Sequence, residues 1–575
     1  MVNSAQLAAR PQVLIAGAGP AGLTAAHELA RRGLRVRLVD AAPAPARTSR
    51  AVATHPRTLE TYDQMGIVDA MLARGRKNRA FTMYAEGRRL VRLEADYTSM
   101  PTAYPFTLVI AQTETEAVLR AALARLGVDI EWGVRLTGLT QHHDRVCVTL
   151  QDADGAAQSV DTSWLVGCDG GHSMVRTLLG LELAGTSSET WMLADVPVTM
   201  DLPPDTIYWA HTRAGALMMV PYAREGHWRL LDTVPPHDAQ QAGRAEEHLG
   251  AKLSRGLGRD VTVGPSEWTS VFTFQQRMVA RMQDRRVFVA GDAAHVHSPA
   301  SGQGMNTGIQ EAYNLAWKLA LVEQGHTGAQ LLDTYSQERV PIGAALLDST
   351  RTATTLVQLR NLLAGAVLPL VFGVVRRAGP LRRAIQRKVL GGMSGLRIGY
   401  RTSPLSTTAA PDGPGPGPGE RVRAVHLDAT DPAARRAFTA ELRDVRWTLL
   451  LCAGATGGVP ANAAVTAAAQ YGPWLSVRTL GGRDDGADGP APHTDPGAAL
   501  ATALGLRPGA WLLVRPDGYV AARGPRLTHD VLRRALAPAG PSTPLAGAPH
   551  PEQNPPGTGV RTPAPAAATA PTKEH

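Results

Sequence analysis

The sequence predicts an α/β chain in which a Rossmann-like nucleotide-binding domain is interrupted by a mostly antiparallel sheet and followed by a smaller α/β domain. Three observations predict it. A strand–turn–helix–strand unit opens the chain at Val13 to Asp40, and a second glycine-rich turn spans Gly291 to Asn306. Between them, from Thr186 to Phe274, apolar and polar residues alternate with turn signals at intervals. At 575 residues the chain is long enough for two or three cores.

In the opening unit Val13-Leu14-Ile15-Ala16 reads as a short buried strand, and Gly17-Ala18-Gly19-Pro20-Ala21-Gly22 follows at once. A helical run from Leu23 to Arg32 stops at Gly33, and a second strand, Val36 to Val39, ends in Asp40. Gly17 permits the tight turn, Gly19 admits a pyrophosphate, and Gly22 lets helix and strand pack closely. Asp40 follows at a distance where a carboxylate can hold a ribose hydroxyl. This is the pattern of a dinucleotide site, and by itself it does not separate FAD from NAD(P).

The second turn, GDAAHVHSPASGQGMN, follows the apolar run Val287 to Ala290 and leads into an amphipathic segment, Gln310 to Leu321. Gly291, Gly302 and Gly304 let backbone N–H groups come close to an anion or a polar ring. Asp292 beside them offers a carboxylate suited to sugar-type hydroxyls.

Composition narrows the function classes. The net charge of +9 is carried by arginine, spread along the chain without a long basic run; the lysines are Lys77, Lys252, Lys318, Lys388 and Lys573. That distribution argues against a nucleic-acid partner. Cys147, Cys168 and Cys452 are far apart and show no CxxC or metal spacing, as expected of reduced thiols in a cytoplasmic protein without a metal site. MVNSAQLAARPQ lacks the apolar core of a signal peptide. The most apolar run, Leu362 to Val375, is interrupted by Pro369 and too short to span a bilayer, so no stable membrane insertion is expected.

Helical periodicity marks His55 to Met71 and Glu114 to Leu126. Ala80 to Leu93 reads as a hairpin turning at Glu86-Gly87, and Val146 to Leu150 with Val160 to Val166 as a strand pair around Asp154-Gly155. Gln310 to Leu390 is largely helical, and Pro411 to Gly419 is a linker by composition. Beyond it Trp447 to Cys452 and Trp474 to Val477 read as strands, Trp511 to Ala522 as a hairpin turning at Asp517-Gly518, and Leu527 to Leu536 as a helix. After Ala537 the chain is rich in Pro, Ala, Thr and Gly and reads as disordered. The expected division places the nucleotide-binding domain in 1–185 and, with a helical region, in 276–400. The inserted substrate sheet takes 186–275, the linker 401–419, the last domain 420–537 and the tail 538–575.

A third motif, Trp164-Leu165-Val166-Gly167-Cys168-Asp169-Gly170, is a strand running into a turn, with Ser173 and Arg176 on a short helix beyond it. Together with GAGPAG and Gly291-Asp292, in this order, it resembles the class A flavin-dependent aromatic hydroxylases, the p-hydroxybenzoate and phenol hydroxylase superfamily, over about residues 10 to 345. The linker and last domain are similar to the thioredoxin-like module of its phenol hydroxylase and aromatic-polyketide hydroxylase branches. That module lacks redox cysteines, and Cys452 likewise has no partner in CxxC spacing.

The resemblance implies FAD as cofactor, NADPH or NADH as reductant, and O2 with a small aromatic molecule as substrates. Gly17, Gly19, Gly22 and Asp40 match the ADP-binding part of the FAD site, while Arg50 and Gln112 resemble its flavin-phosphate contacts. Asp169 and Gly170 match the motif linked to FAD and the reduced nicotinamide, and Asp292 the acid at the ribityl chain. Pro299 resembles the proline on the flavin's reactive side. Gly302, Gly304, Met305 and Asn306 match the loop whose backbone N–H groups meet the ring's pyrimidine edge. Chemistry in this family runs through a flavin C4a-hydroperoxide kept from water, so no side-chain nucleophile is expected.

His295 and His297 flank this motif, but their spacing within a loop suits structural hydrogen bonds better than a metal. Trp209, His211, Met218, Tyr222 and Trp228 lie in the inserted sheet. Packing accounts for most of them, and one or two of Trp209, His211, Met218 and Tyr222 are expected at the substrate. The resulting expectation is an FAD-dependent monooxygenase that hydroxylates a phenolic or polycyclic, polyketide-type aromatic. Baeyer–Villiger oxidation, antibiotic modification, simple-phenol catabolism and a non-catalytic FAD-binding partner protein are the alternatives. NADH against NADPH, and monomer against homodimer, stay open.

Overall fold

Val13-Leu14-Ile15-Ala16 carries no polar side chain, and it forms the buried strand Val13–Ala16 inside a six-stranded sheet. The computed structural model describes residues 10–48, 51–94, 102–236, 244–297, 302–357, 391–407, 415–422, 438–453, 461–480, 492–493 and 499–539. Arg50, Pro299, the run from 362 to 375, positions 408–414 of the linker region and positions 540–575 of the expected tail lie outside these residues. The sheet order is Gln283–Asp284, Val287–Val289, Trp164–Gly167, Val13–Ala16, Val36–Asp40 and Ile130–Trp132. All pairs are parallel except the first. Burial on both faces explains why Val13–Ala16, Trp164–Gly167 and Val287–Val289 read as unbroken apolar runs.

The helix Pro20–Arg31 begins with proline in its first turn, and Gly33 follows its end in the left-handed region at φ +82°. It packs on the helix Gly304–Glu323, which is buried without interruption from Asn306 to Leu321. That helix starts earlier than its apolar periodicity at Gln310 indicated. The single helix expected over His55 to Met71 is instead two, Pro56–Gln64 and Val68–Arg74, because Gly66 between them takes φ +77°.

The second sheet runs His295–Val296, Trp268–Met278, Ala184–Thr199, His227–Asp232, Gly215–Pro221, Thr206–Thr212, Ala80–Ala85 and Arg88–Glu94, with Thr262–Val263 pairing beside Ala184–Thr199. Two features differ from expectation. The hairpin that turns at Glu86-Gly87 was assigned to the first nucleotide-binding segment, yet Ala80–Ala85 pairs in parallel with Thr206–Thr212 and extends the substrate sheet. The contiguous boundaries 1–185 and 186–275 therefore do not delimit this sheet. The second feature is a helix, Arg244–Leu257, within the stretch expected as a mostly antiparallel sheet. Leu249, Leu253 and Leu257 follow at helical spacing and cover one sheet face against Met192, Val196, Leu217 and Leu230.

The last domain is a five-stranded sheet in the order Pro492–His493, Leu475–Leu480, Trp447–Cys452, Trp511–Val514 and Val520–Gly524. A buried polar cluster joins it to the nucleotide-binding domain. Glu338 accepts from both terminal nitrogens of Arg515 at 2.6 and 2.9 Å, from Lys318 Nζ at 2.8 Å and from Asn314 at 2.8 Å. Asp517 accepts from Arg515, from Asn314 and from the Trp317 indole. Two carboxylates thus face two cations. Burial lowers Lys318 to about 8 despite the pull of Glu338, whereas Arg515 and Lys318 overcome burial to hold Glu338 well below the carboxylate range.

Among the described residues, no helix is long and apolar enough to cross a membrane, and no group of three His, Cys, Asp or Glu could hold a metal ion. Glu338→Ala would leave Lys318 and Arg515 buried with one counter-charge between them. It is expected to cost about 3–5 kcal/mol of stability, measured by denaturant unfolding of the holoenzyme; a loss under about 1 kcal/mol would contradict the cluster's role.

Candidate active site

Four parallel strands lie side by side, and each of the sequence motifs leaves from the carboxyl end of one of them. Val287–Val289 runs into Gly291-Asp292, Trp164–Gly167 into Asp169-Gly170, Val13–Ala16 into Gly17–Gly22, and Val36–Asp40 ends in Asp40 itself. This edge is where ligands bind in open α/β sheets. The turns touch one another. A Cβ on Gly17 would stand 2.3 Å from the Cys168 carbonyl oxygen, and one on Gly22 1.9 Å from the Gly17 oxygen. Gly291, at φ +63°, sits against Ala21 and Gly308. Arg176 closes the arrangement by donating to the carbonyls of Ala293 at 3.2 Å and Gly171 at 2.9 Å.

Gly19 behaves differently from its neighbours. A Cβ there would meet no protein atom within 4 Å, so open space lies above the start of the helix Pro20–Arg31. That helix has no side-chain cap, which leaves its first N–H groups available to an anion. Asp40 is held beside the loop, accepting from Ala18 N–H at 2.6 Å and Ala42 N–H at 2.8 Å. Gln112 accepts from Ala51 N–H at 3.2 Å and donates to Glu116 at 2.9 Å, which fixes the chain next to position 50.

Asp169 is engaged inside the protein. Its carboxylate accepts from the Ser173 hydroxyl and from Met174 and Val175 N–H at 2.7 and 3.1 Å, and so caps the helix Met174–Leu178. Asp292 is the opposite case: it is exposed and shows no hydrogen bond to another described residue. Its turn is held from below by Glu311, which accepts from Gly291 N–H at 2.9 Å and pairs with His295 Nε2 at 2.8 Å. Arg339 lies 3.8 Å from the same carboxylate. Composition and spacing do not single out Glu311 or Arg339; the visible signal for Glu311 is an acid at the start of the amphipathic segment Gln310 to Leu321.

Asn306 ties the flavin-type loop to a neighbouring strand. Its Oδ1 accepts from His55 N–H at 2.9 Å, and its Nδ2 donates to the carbonyls of Ala53 and Gly302 at 2.8 Å each. Gly302 takes φ +62°, where a Cβ would press on Ala53 at 3.0 Å. Gly304 opens the helix, again without a side-chain cap, and Met305 packs against the nucleotide-domain core.

Across the inserted sheet, Trp209 lies opposite Met218, Met218 opposite Leu231, and Leu231 opposite Leu193. Directly paired residues share a face, and this row occupies the face that the helix Arg244–Leu257 does not cover. Trp191, Leu193 and Leu231 cluster there with Met218, Trp268 and Phe272. His211 is on the same face as Trp209, their rings stacked 6.3 Å apart. Its Nε2 is buried without a hydrogen-bond partner, and burial lowers its pKa, so the imidazole is neutral near pH 7. Tyr222 lies past the strand end and donates to Asp195 at 3.0 Å, where Arg229 also binds at 2.7 and 2.6 Å. Trp228 is on the opposite face, packed with Tyr208 under the covering helix.

An open glycine at an uncapped helix N-terminus, a second uncapped N-terminus at Gly304 and an unengaged carboxylate at Asp292 together fit FAD. A nucleotide fold with these loops under an aromatic sheet face defines a flavin-dependent oxidoreductase. Residues 10–350 match the family model described as an FAD binding domain. The chain is 48% identical over 526 residues to 6-methylpretetramide 4-monooxygenase of Streptomyces rimosus, covering 92% of this chain and 93% of that one. It is 30% identical over 544 residues to pentachlorophenol 4-monooxygenase of Sphingobium chlorophenolicum, covering 93% and 98%. Among solved structures, the anhydrotetracycline hydroxylase of Streptomyces rimosus superposes with a TM-score of 0.70 at 30% identity, over 92% of this chain and 99% of that one. The chain belongs to this FAD-binding family and is an FAD-dependent aromatic monooxygenase.

Asp292→Ala is expected to weaken FAD retention about 10- to 100-fold, the worth of a hydrogen bond to a charged group. Flavin absorbance per protein after dialysis reads this out, and unchanged retention would remove Asp292 from the site. The Glu311–His295 pair predicts a pH signature. Burial opposes the imidazolium, but the Glu311 carboxylate and its hydrogen bond prevail and raise the pKa of His295, while His295 and Arg339 lower that of Glu311 against its burial. The His295 contribution is complete below the unfolded value of about 6.5 and is lost as pH rises through the raised folded value. His295→Gln should therefore flatten the alkaline decline of Tm; profiles that run parallel to wild type would refute this.

Proposed function

We propose that this enzyme hydroxylates a polycyclic, polyketide-type aromatic, with NAD(P)H as reductant and O2 as oxidant. The observation that carries the reading is the sheet face turned away from the helix Arg244–Leu257, where half-buried Trp209, Met218 and Phe272 border the buried Trp191, Leu193 and Leu231 and offer apolar contact to a planar ligand. The name of the 48% identical relative, which specifies 6-methylpretetramide as its substrate, supports the same class.

Bound and reduced, FAD supplies the activated oxygen for this chemistry. The protein's part is binding, orientation and the exclusion of water. The Gly17–Gly22 turn and the helix behind it hold the pyrophosphate, Asp40 the ribose, and Asp292 the ribityl chain. The uncapped N-terminus of Gly304–Glu323 would favour negative charge on the bound ring. Trp209 and Met218 hold the substrate ring by apolar contact, and the neutral His211 can accept or donate one hydrogen bond at its rim.

The test follows NAD(P)H consumption by the FAD-loaded enzyme with polycyclic and simple phenols, alongside product mass. Polycyclic substrates are expected to stimulate oxidation and yield a product heavier by one oxygen atom. A response confined to simple phenols would overturn the polycyclic reading. No stimulation by any aromatic would overturn the hydroxylase reading altogether.

A further inference from the structure

Asn78 departs from the rule that buried polar groups are hydrogen-bonded. It is 2% exposed, and neither its Oδ1 nor its Nδ2 has a hydrogen-bond partner. A carboxamide carries two donors and an oxygen with two acceptor sites, and packing alone would be served better by leucine at the same place. An unsatisfied polar group kept in a native core calls for a partner, either a buried water or a bound ligand.

Its position says which site. The strand Arg76–Asn78 pairs with Thr107–Val109, and that strand with Ala53–Thr54. Paired residues and alternate residues share a face, so Asn78 and Thr107 lie on the same side as Arg76, Val109 and Ala53. On one flank this face meets the flavin loop, since Ala53 is the residue that Gly302 abuts and whose carbonyl Asn306 binds. On the other flank it meets the substrate sheet. Val109 packs with Ile207 and Val220, and Arg76 donates to the Tyr222 carbonyl at 2.9 Å. Asn78 therefore stands at the seam between the flavin loop and the substrate face.

We propose that Asn78 determines substrate specificity, its carboxamide meeting an adjacent hydroxyl–carbonyl pair on the bound aromatic ring. The oxygen accepts from the hydroxyl and the nitrogen donates to the carbonyl, which satisfies the group only in the complex. This rests on the hydroxylase reading above.

The experiment compares wild type with Asn78→Leu, and with Asn78→Ala in case leucine overpacks, all as FAD-loaded full-length enzyme. With a stimulating hydroxy-carbonyl aromatic, KM and the dissociation constant read from flavin fluorescence are expected to rise about 10- to 100-fold. With an analogue lacking both the hydroxyl and the carbonyl of that pair, wild type and variants should differ by less than about threefold. Tm of Asn78→Leu is expected to equal or exceed wild type, because the unpaired amide is gone. A lower Tm with unchanged KM would assign Asn78 to the fold through a buried water and overturn the proposal. A change confined to FAD affinity would assign the amide to the flavin's own donor–acceptor edge and also overturn it. If wild type itself shows no aromatic stimulation, the hydroxylase reading fails first, before any variant is compared.

Discussion

Close backbone approach at the carboxyl edge of the parallel sheet is the constraint on which the rest of this enzyme depends. Gly17 lies against Cys168, Gly22 against Gly17, and Gly291 against Ala21 and Gly308. A side chain at Gly17 or Gly22 would drive backbone atoms apart, and the turns would no longer form one surface. Gly19 sits in the same loop without any such neighbour. The protein needs glycine at 17 and 22 for its own packing, whereas the freedom at 19 serves a ligand.

The helix Gly304–Glu323 turns that edge into a rigid floor. It carries Glu311 and Lys318 into the core, and each is matched by a charge from another element. Glu311 holds Gly291 and His295 with Arg339 nearby, and Lys318 meets Glu338 and, through it, Arg515 of the last domain. Buried charges of this kind are weak evidence of stability in themselves. Their value is directional: each admits few geometries, so the helix that starts the flavin loop cannot slide or rotate. The last domain is thereby coupled to the floor of the site through Arg515 and Asp517, without redox cysteines of its own.

The substrate side is built on the opposite principle. Its sheet face is apolar, and two groups without a hydrogen-bond partner, the His211 nitrogen and the Asn78 amide, lie beside it. A core optimised for stability alone would have neither.

Local signals made much of this legible in the chain. Glycine spacing and an acid at the end of the second strand established a dinucleotide-binding α/β fold, because those features are dictated by the nearest few residues and a fixed ligand shape, and three motifs in order carried the resemblance that implied a flavin. Helix breaks such as Gly66 and the helix Arg244–Leu257 were written in the sequence at the same local range, in a left-handed glycine and a leucine repeat. What no local pattern could decide was partnership over distance. The hairpin at Glu86-Gly87 joins the substrate sheet by pairing with residues more than a hundred positions later, since a strand's partner is chosen by the whole fold. Asp169 and Asp292 look alike as motif acids, yet one caps a helix and the other stands open. The sequence alone determined the nucleotide-binding turns, which depend on residue type and short spacing, and its resemblance to the aromatic hydroxylases implied the cofactor and the class of reaction. Only the tertiary structure decided which polar groups are spent inside the protein and which are left for a substrate, because burial and hydrogen-bond satisfaction exist only once the chain has folded.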